Sequence, residues 1–234
     1  KVDPALSGVV ELFDDVIADP ARDGADLDGP FAGLPFLMKD LGPTLKGRLQ
    51  EMGSLMMRGN RATADTFLTT KLRRAGLNLI GRTTTPEFGV CSSAENPAVY
   101  VTRNPWNTEH ITGGSSSGSG SAVAARLTFA ALGSDTGGSV RMPAHFCGVT
   151  GLKTTVGRVS RAGAMPLSQS LDTVGPLAQT AEDCALLLGL MAGADPEDLT
   201  ASTQPVPDYL AATGQSLKGL KIGVPTAFYV DDLD

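Results

Sequence analysis

The chain is short of several residue types, and each shortage removes a class of function. It has three cysteines, Cys91, Cys147 and Cys184, an odd number set far apart. They make neither a disulfide framework nor a metal-ligand pattern, which favours a reducing compartment and so the cytoplasm. It has no run of lysine and arginine, and its net charge is −6. That argues against nucleic acid as the main partner. No stretch reaches the uninterrupted apolar length that a membrane span needs. No internal repeat is visible. Nor is a signal peptide, although the chain starts abruptly at Lys1, so a missing leader stays open.

What remains is ordinary for a soluble globular protein: 234 residues, 41% apolar and 19% charged, enough for one large or two small domains. One stretch stands out. Gly113 to Pro143 holds two glycine-serine loops on either side of an apolar segment, Ala122 to Leu132. The first reads Gly-Gly-Ser-Ser-Ser-Gly-Ser-Gly-Ser, and the second Gly-Ser-Asp-Thr-Gly-Gly-Ser from Gly133. Loops at the two ends of a helix–strand unit are expected to lie close together in space. A flexible linker explains the first loop poorly, because Ala122-Val-Ala-Ala directly after it is a good helix start. A phosphate loop would end in Gly-Lys-Ser/Thr, and no lysine is present. Asp135-Thr136-Gly137 is the kind of loop an aspartic protease carries, but that chemistry needs two aspartates sharing a proton, and only one such loop exists.

Hydrophobic spacing places the rest. Val9, Val10, Phe13, Val16 and Ile17 recur at roughly helical intervals, so residues 1–28 read as an N-terminal helical segment. Gly29 to Leu37 reads as loop into a short buried strand, with Lys39 directly after Phe36-Leu37-Met38. Thr63 to Ala75 predicts a helix closed by Gly76, followed by a strand over Leu77 to Ile80. Helix is expected over Ser119 to Arg126, strand over Thr128 to Leu132, and helix again from Ser139 to His145. Val149 to Leu152 and Val156 to Val159 read as strands or extended loop. Thr180 caps a helix over Ala181 to Met191. Leu220 to Val224 reads as a last strand, stopped by Pro225. The alternation implies an α/β fold with a mixed, largely buried central sheet covered by helices on both faces.

The two serine loops, together with Gly33-Leu34-Pro35-Phe36-Leu37-Met38-Lys39-Asp40, resemble the amidase signature family of serine hydrolases. The three motifs occur in the family's order, Ser115 and Ser139 stand 24 positions apart as the family's serines do, and the likeness runs from about Phe31 to Pro225. The resemblance implies an amidase that splits a carboxylic amide into acid and ammonia or amine. In it Ser139 is the nucleophile, Ser115 the relay serine entered by a cis peptide bond, and Lys39 the base. A lysine after a buried strand ordinarily curls out to solvent, and only the motif reverses that expectation. Backbone N–H groups of Thr136, Gly137, Gly138 and Ser139 match the family's oxyanion hole. Neither metal nor cofactor is implied, and the partner is a small-molecule amide, with a homodimer left open. The family's domain is about twice as long, so residues 29–234 read as the N-terminal part of a catalytic domain.

Asp135 and Arg141 read as a charge pair bracing the loop, and Pro86-Glu87-Phe88-Gly89 as scaffold. Three alternatives stay open. The amidase subunit of a tRNA-dependent amidotransferase resembles this sequence equally, a non-catalytic scaffold would share the fold, and His145 is a fallback base for Ser139.

Overall fold

The computed structural model describes residues 2–227 and Asp231. Among them, six α-helices, α1 (Asp3–Leu6), α2 (Asp14–Ala18), α3 (Phe67–Arg74), α4 (Ser117–Ala124), α5 (Arg141–Cys147) and α6 (Ala181–Met191), are interleaved with eight strands. The strands are β1 (Val9–Leu12), β2 (Pro35–Lys39), β3 (Asn78–Thr83), β4 (Glu95–Asn96), β5 (Tyr100–Val101), β6 (Ala130–Asp135), β7 (Thr150–Gly151) and β8 (Thr173–Ala178). Six of them form one sheet in the order β1-β3-β2-β6-β8-β7, and β4 pairs with β5 apart from it. β2 runs parallel to both β3 and β6, whereas β1, β8 and β7 are antiparallel to their neighbours. The expected α/β class and mixed sheet are therefore present.

Strand alternation divides the core between the two faces of this sheet. Phe36 and Met38 of β2 pack with Leu68 and Leu72 of α3 and with Leu187 and Met191 of α6. Leu37, between them, packs on the other face with Ala122 and Val123 of α4 and Ala144 of α5. Phe36, Leu37 and Met38 are all fully buried, each contributing about 1.5–3 kcal/mol of transfer free energy. Lys39 follows Leu37 by two and so belongs to the α4 face. Asp40 belongs to the other.

The Gly/Ser-rich stretch is α4 and its approach, and its composition has a packing cause. A Cβ on Gly118 would overlap the Gly8 carbonyl and the Thr84 backbone nitrogen. The helix thus lies against the sheet at a distance only glycine permits. Its serines sit in the core because each hydroxyl finds an acceptor: Ser117 the Gly113 carbonyl at 2.8 Å, Ser119 the Leu132 carbonyl at 2.7 Å, and Ser121 the Arg103 carbonyl at 3.0 Å. Partnered hydroxyls of this kind carry no large burial penalty.

The structure corrects several expectations. The expected helical segment over residues 1–28 is not what the described residues 2–28 form: Val9 and Val10 lie in edge strand β1, and only short helices flank it. Asp3 Oδ1 accepts the N–H groups of Gly8 (2.9 Å) and Val9 (3.0 Å), which turns the chain into that strand. β-branched Val9 and Val10 suit it once β3 offers an edge. α3 begins at Phe67 rather than Thr63, because Thr66 supplies the cap to the Thr69 N–H. β6 starts and ends two or three residues later than expected, so it reaches Asp135. Val156 to Val159 is a turn, with Gly157 at φ +79° and the Arg158 N–H on the Thr155 carbonyl. Strand β8 has no signal in the sequence pattern, because Gly175-Pro176 interrupts it. Gly175 is needed because a side chain there would overlap the Leu152 carbonyl. Leu220 to Val224 is not a strand. Its apolar side chains stand exposed among the described residues, Ile222 at 80%, and the Leu220 N–H closes a turn on the Leu217 carbonyl at 3.1 Å. α6, by contrast, spans the expected residues, with Thr180 and Asp183 forming a reciprocal capping box.

Candidate active site

β2 and β6 are parallel neighbours, so their carboxyl ends open side by side. That is where α/β sheets present ligands. β2 delivers Lys39 there. β6 delivers Ser134 and Asp135 and leads into the loop Thr136–Ser139. The N-terminal approach to α4 brings Ser115 and Ser116 to the same end. The two serine loops are held together directly, as the Ser116 N–H donates to the Ser139 carbonyl at 3.1 Å. Ser116 Oγ also bonds the Ser134 carbonyl and accepts the Ser134 N–H, both at 3.3 Å.

Lys39 is 2% exposed. Its Nζ lies 2.7 Å from Ser115 Oγ and 3.0 Å from Ser134 Oγ. Burial without a contacting carboxylate penalises the ammonium and brings its pKa down to about 7, while the more distant charges of Asp135 and Asp172 oppose the shift. The peptide bond Gly114–Ser115 is cis. Ser139 is half-buried, and its hydroxyl makes no protein hydrogen bond among the described residues.

Asp135 organises the second loop. Its Oδ1 accepts the Gly138 N–H at 2.8 Å, and its Oδ2 accepts the N–H groups of Val140 (3.0 Å) and Arg141 (3.3 Å). The Arg141 guanidinium adds two more bonds, at 2.9 and 3.1 Å. Burial alone would raise this carboxyl, but Arg141 and the backbone donors outweigh it and hold the group below its ordinary value. The bracing pair is thus in place. The same geometry changes one expectation, because the Gly138 N–H is occupied by Asp135. The N–H groups of Thr136, Gly137 and Ser139 have no protein acceptor among the described residues. Gly138 instead serves the loop by its conformation, at φ +132°.

His145 is not brought to Ser139. α5 begins at Arg141, and His145 stands exposed in a separate cleft with Trp106, His110 and Phe146.

A cavity of about 350 Å3 opens over the carboxyl ends of β2 and β6 and the amino end of β8. Ser115, Ser134 and Thr136 line it on the sheet side, and Arg161, Met165 and Asp172 are among the residues of its outer wall. Ser134 and Asp172 are site residues that only the structure brings out. Ser134 has one signal, a hydroxyl inside the second loop motif. Asp172 has none, since the sequence pattern does not show β8.

The sequence matches the family model for amidases over residues 1–234. The chain belongs to the amidase signature family. It is 47% identical to a glutamyl-tRNA(Gln) amidotransferase subunit of Pseudomonas syringae pv. syringae, over all of this chain and 49% of that protein. Among solved structures, the corresponding glutamyl-tRNA(Gln) amidotransferase subunit of Thermotoga maritima superposes with a TM-score of 0.81 at 37% identity, covering 88% of this chain and 44% of that one. The peptide amidase of Stenotrophomonas maltophilia superposes with a TM-score of 0.80 at 38% identity, covering 90% and 46%. The chain therefore spans about half the length of the relatives it matches.

Proposed function

We propose that this amidase-family chain carries the reacting residues of an enzyme that hydrolyses a carboxylic amide through an acyl-enzyme on Ser139. The observation that carries the reading is the buried Lys39 amine, 2.7 Å from Ser115 Oγ. A lysine with its pKa near 7 is largely neutral at and above neutral pH and can take a proton. In this mechanism Lys39 accepts the Ser115 hydroxyl proton while Ser115 accepts that of Ser139. Ser139 Oγ attacks the carbonyl carbon. The resulting oxyanion is held by the N–H groups of Thr136, Gly137 and Ser139. The relay returns the proton to the departing nitrogen, the C–N bond breaks, and water then hydrolyses the ester on Ser139. The cavity is of a size that suits a small-molecule amide. Three free thiols, one of them exposed, fit a reducing, cytoplasmic setting.

Treatment of the full-length protein with a fluorophosphonate, followed by mass spectrometry, tests the assignment. The label is expected on Ser139. A label on Ser115 with Ser139 free overturns the roles, and no label at either serine supports the non-catalytic scaffold.

A second reading has its own support in the 47% identity to an amidotransferase subunit. In it the amide is glutamine, and the ammonia passes to a partner enzyme. Co-purifying subunits together with glutamine-dependent ammonia release would establish it, and a stand-alone amidase would show neither.

A further inference from the structure

The outer wall of the cavity is fastened to the second serine loop through Asp172 and, beside it, through the Thr173 hydroxyl, which donates to the Asp135 carbonyl at 2.9 Å. Asp172, just before β8, turns one carboxylate oxygen to each side of that junction. Its Oδ1 accepts the Thr136 hydroxyl at 2.5 Å. Its Oδ2 accepts the N–H groups of Leu167 (2.8 Å) and Ser168 (2.9 Å). The wall segment is closed on itself as well: Arg161 Nη1 donates to the carbonyls of Gln169 (2.7 Å) and Asp172 (3.1 Å), and its Nη2 to Thr200 Oγ1 at 2.6 Å. Thr136 is thereby gripped through its side chain, while its N–H has no protein acceptor among the described residues. Leu167 and Met165 line the cavity on the other side of the grip.

We propose that Asp172 is a positioning residue for the reaction: it fixes Thr136, and so the direction of the Thr136 N–H, in register with the outer wall of the cavity. This rests on the reading of Ser139 and its oxyanion hole given above. A donor aims at a developing charge only while its loop is held, and misplacement by about 1 Å costs on the order of 100-fold in rate. Free backbone donors alone would leave Thr136 able to rotate away. The carboxylate makes loop and wall move as one body, so a substrate that seats against Leu167 also sets the donor.

Asp172 has a second effect that a purely structural tie would lack. The charged groups acting on Lys39 are Asp135, from the end of β6, and Asp172. Asp135 is already paired with Arg141, whereas the Asp172 carboxylate accepts, among the described residues, from a hydroxyl and two backbone N–H groups, and the Arg161 guanidinium beside it is bonded to the Asp172 carbonyl rather than to the carboxylate. Its negative charge favours the Lys39 ammonium, so removing it moves the titration of Lys39 to lower pH.

Three variants of the full-length protein separate these effects. Thr136→Val removes the grip and leaves the wall bonds; it is expected to lower kcat about 10- to 100-fold with little change in KM, and Thr136→Ser is expected to restore it. Asp172→Asn keeps a hydrogen-bonding group without the charge, so the acid limb of kcat/KM should move to lower pH. Asp172→Ala should lower kcat and raise KM together. Should that variant not fold, Thr136→Val and Asp172→Asn decide the matter. Wild-type kcat in Thr136→Val with an unmoved acid limb in Asp172→Asn overturns the role of Asp172 while Ser139 is still labelled by the phosphonate. Absence of that label in the wild type overturns the Ser139 reading instead, and this inference with it.

Discussion

Lys39 Nζ lies 2.7 Å from Ser115 Oγ, and the two residues are 76 positions apart in sequence. The pair forms because β2 and the approach to α4 end at the same edge of one sheet. Nothing in the pair carries a full negative charge, so the amine is free to lose its proton near neutrality.

The first prediction concerns pH. With the Lys39 pKa near 7, kcat/KM should rise through about pH 7 and hold into the alkaline range, because the neutral amine is the active form. Lys39→Ala should lower the rate by roughly 10²- to 10⁴-fold. Lys39→Arg should not restore it, since a guanidinium stays protonated. A pH–rate profile of each variant checks this. Near-wild-type activity in Lys39→Ala would exclude the lysine mechanism.

Ser134 supports a second prediction. A neutral amine has two N–H donors and one lone pair. If the lone pair is to face the Ser115 proton, the N–H groups need acceptors elsewhere, and Ser134 Oγ at 3.0 Å is one. Ser134→Ala lets the amine rotate and should lower kcat about tenfold with KM nearly unchanged, a loss of roughly 1.4 kcal/mol. Ser134→Thr keeps the hydroxyl and should recover most of the rate. Equal kinetics in Ser134→Ala and wild type would show that Ser115 alone orients the amine.

These residues also mark how far the sequence could be read. α6 was legible to the residue, because the Thr180–Asp183 cap and the apolar run it opens are local. Lys39 and the two serine loops stood out through their motifs. Strand β1 did not, because Val9 and Val10 become a strand only by pairing with β3, some seventy positions away. β8 was hidden by Gly175 and Pro176, which look like breakers until β6 and β7 flank them. Asp172 was lost with β8. The Gly138 N–H reads as available in the sequence, because the Asp135 carboxylate that takes it is brought there only by the fold of the loop. In each case the missing information lay in a non-local contact rather than in local propensity.

A third prediction concerns the opposite face of the sheet. Arg82 of β3 bonds Asp40 at 2.9 Å, Glu51 at 2.7 Å and Glu11 at 2.9 Å. The Asp40 side chain is almost wholly buried, so burial raises its carboxyl above the ordinary value against the pull of Arg82. Arg82→Met would leave that carboxylate without its counter-ion, at a cost of about 3–5 kcal/mol. Glu11 is far more exposed, so Glu11→Gln should cost at most about 1 kcal/mol. Urea unfolding of the two variants checks the ranking. Equal losses would mean that the buried Asp40 contact has no special weight.

The last prediction turns the Lys39 shift into stability. The amine has a pKa of about 7 in the fold against an ordinary value of 10.5. Above pH 10.5 it is neutral in both folded and unfolded chains, and the shift has no effect. As pH falls from there, the unfolded chain binds a proton that the folded one resists, and stability drops by up to about 1.36 kcal/mol per pH unit. Below about pH 7 both states are protonated, and the full penalty, on the order of 4–5 kcal/mol, is present. Lys39 therefore makes the fold more stable as pH rises from about 7 to 10.5. Lys39→Met keeps the length of the side chain and removes the charge, at the expense of the hydrogen bonds to Ser115 and Ser134. Every other titrating group is common to both proteins, so the difference between them isolates Lys39. Denaturant titrations at about pH 6, 8 and 10 should show the methionine variant gaining most on wild type at the lowest pH, less at the middle one and least at the highest. A difference that stays constant across the three would mean that Lys39 titrates in the fold as it does in water, and the neutral-base mechanism would lose its physical basis.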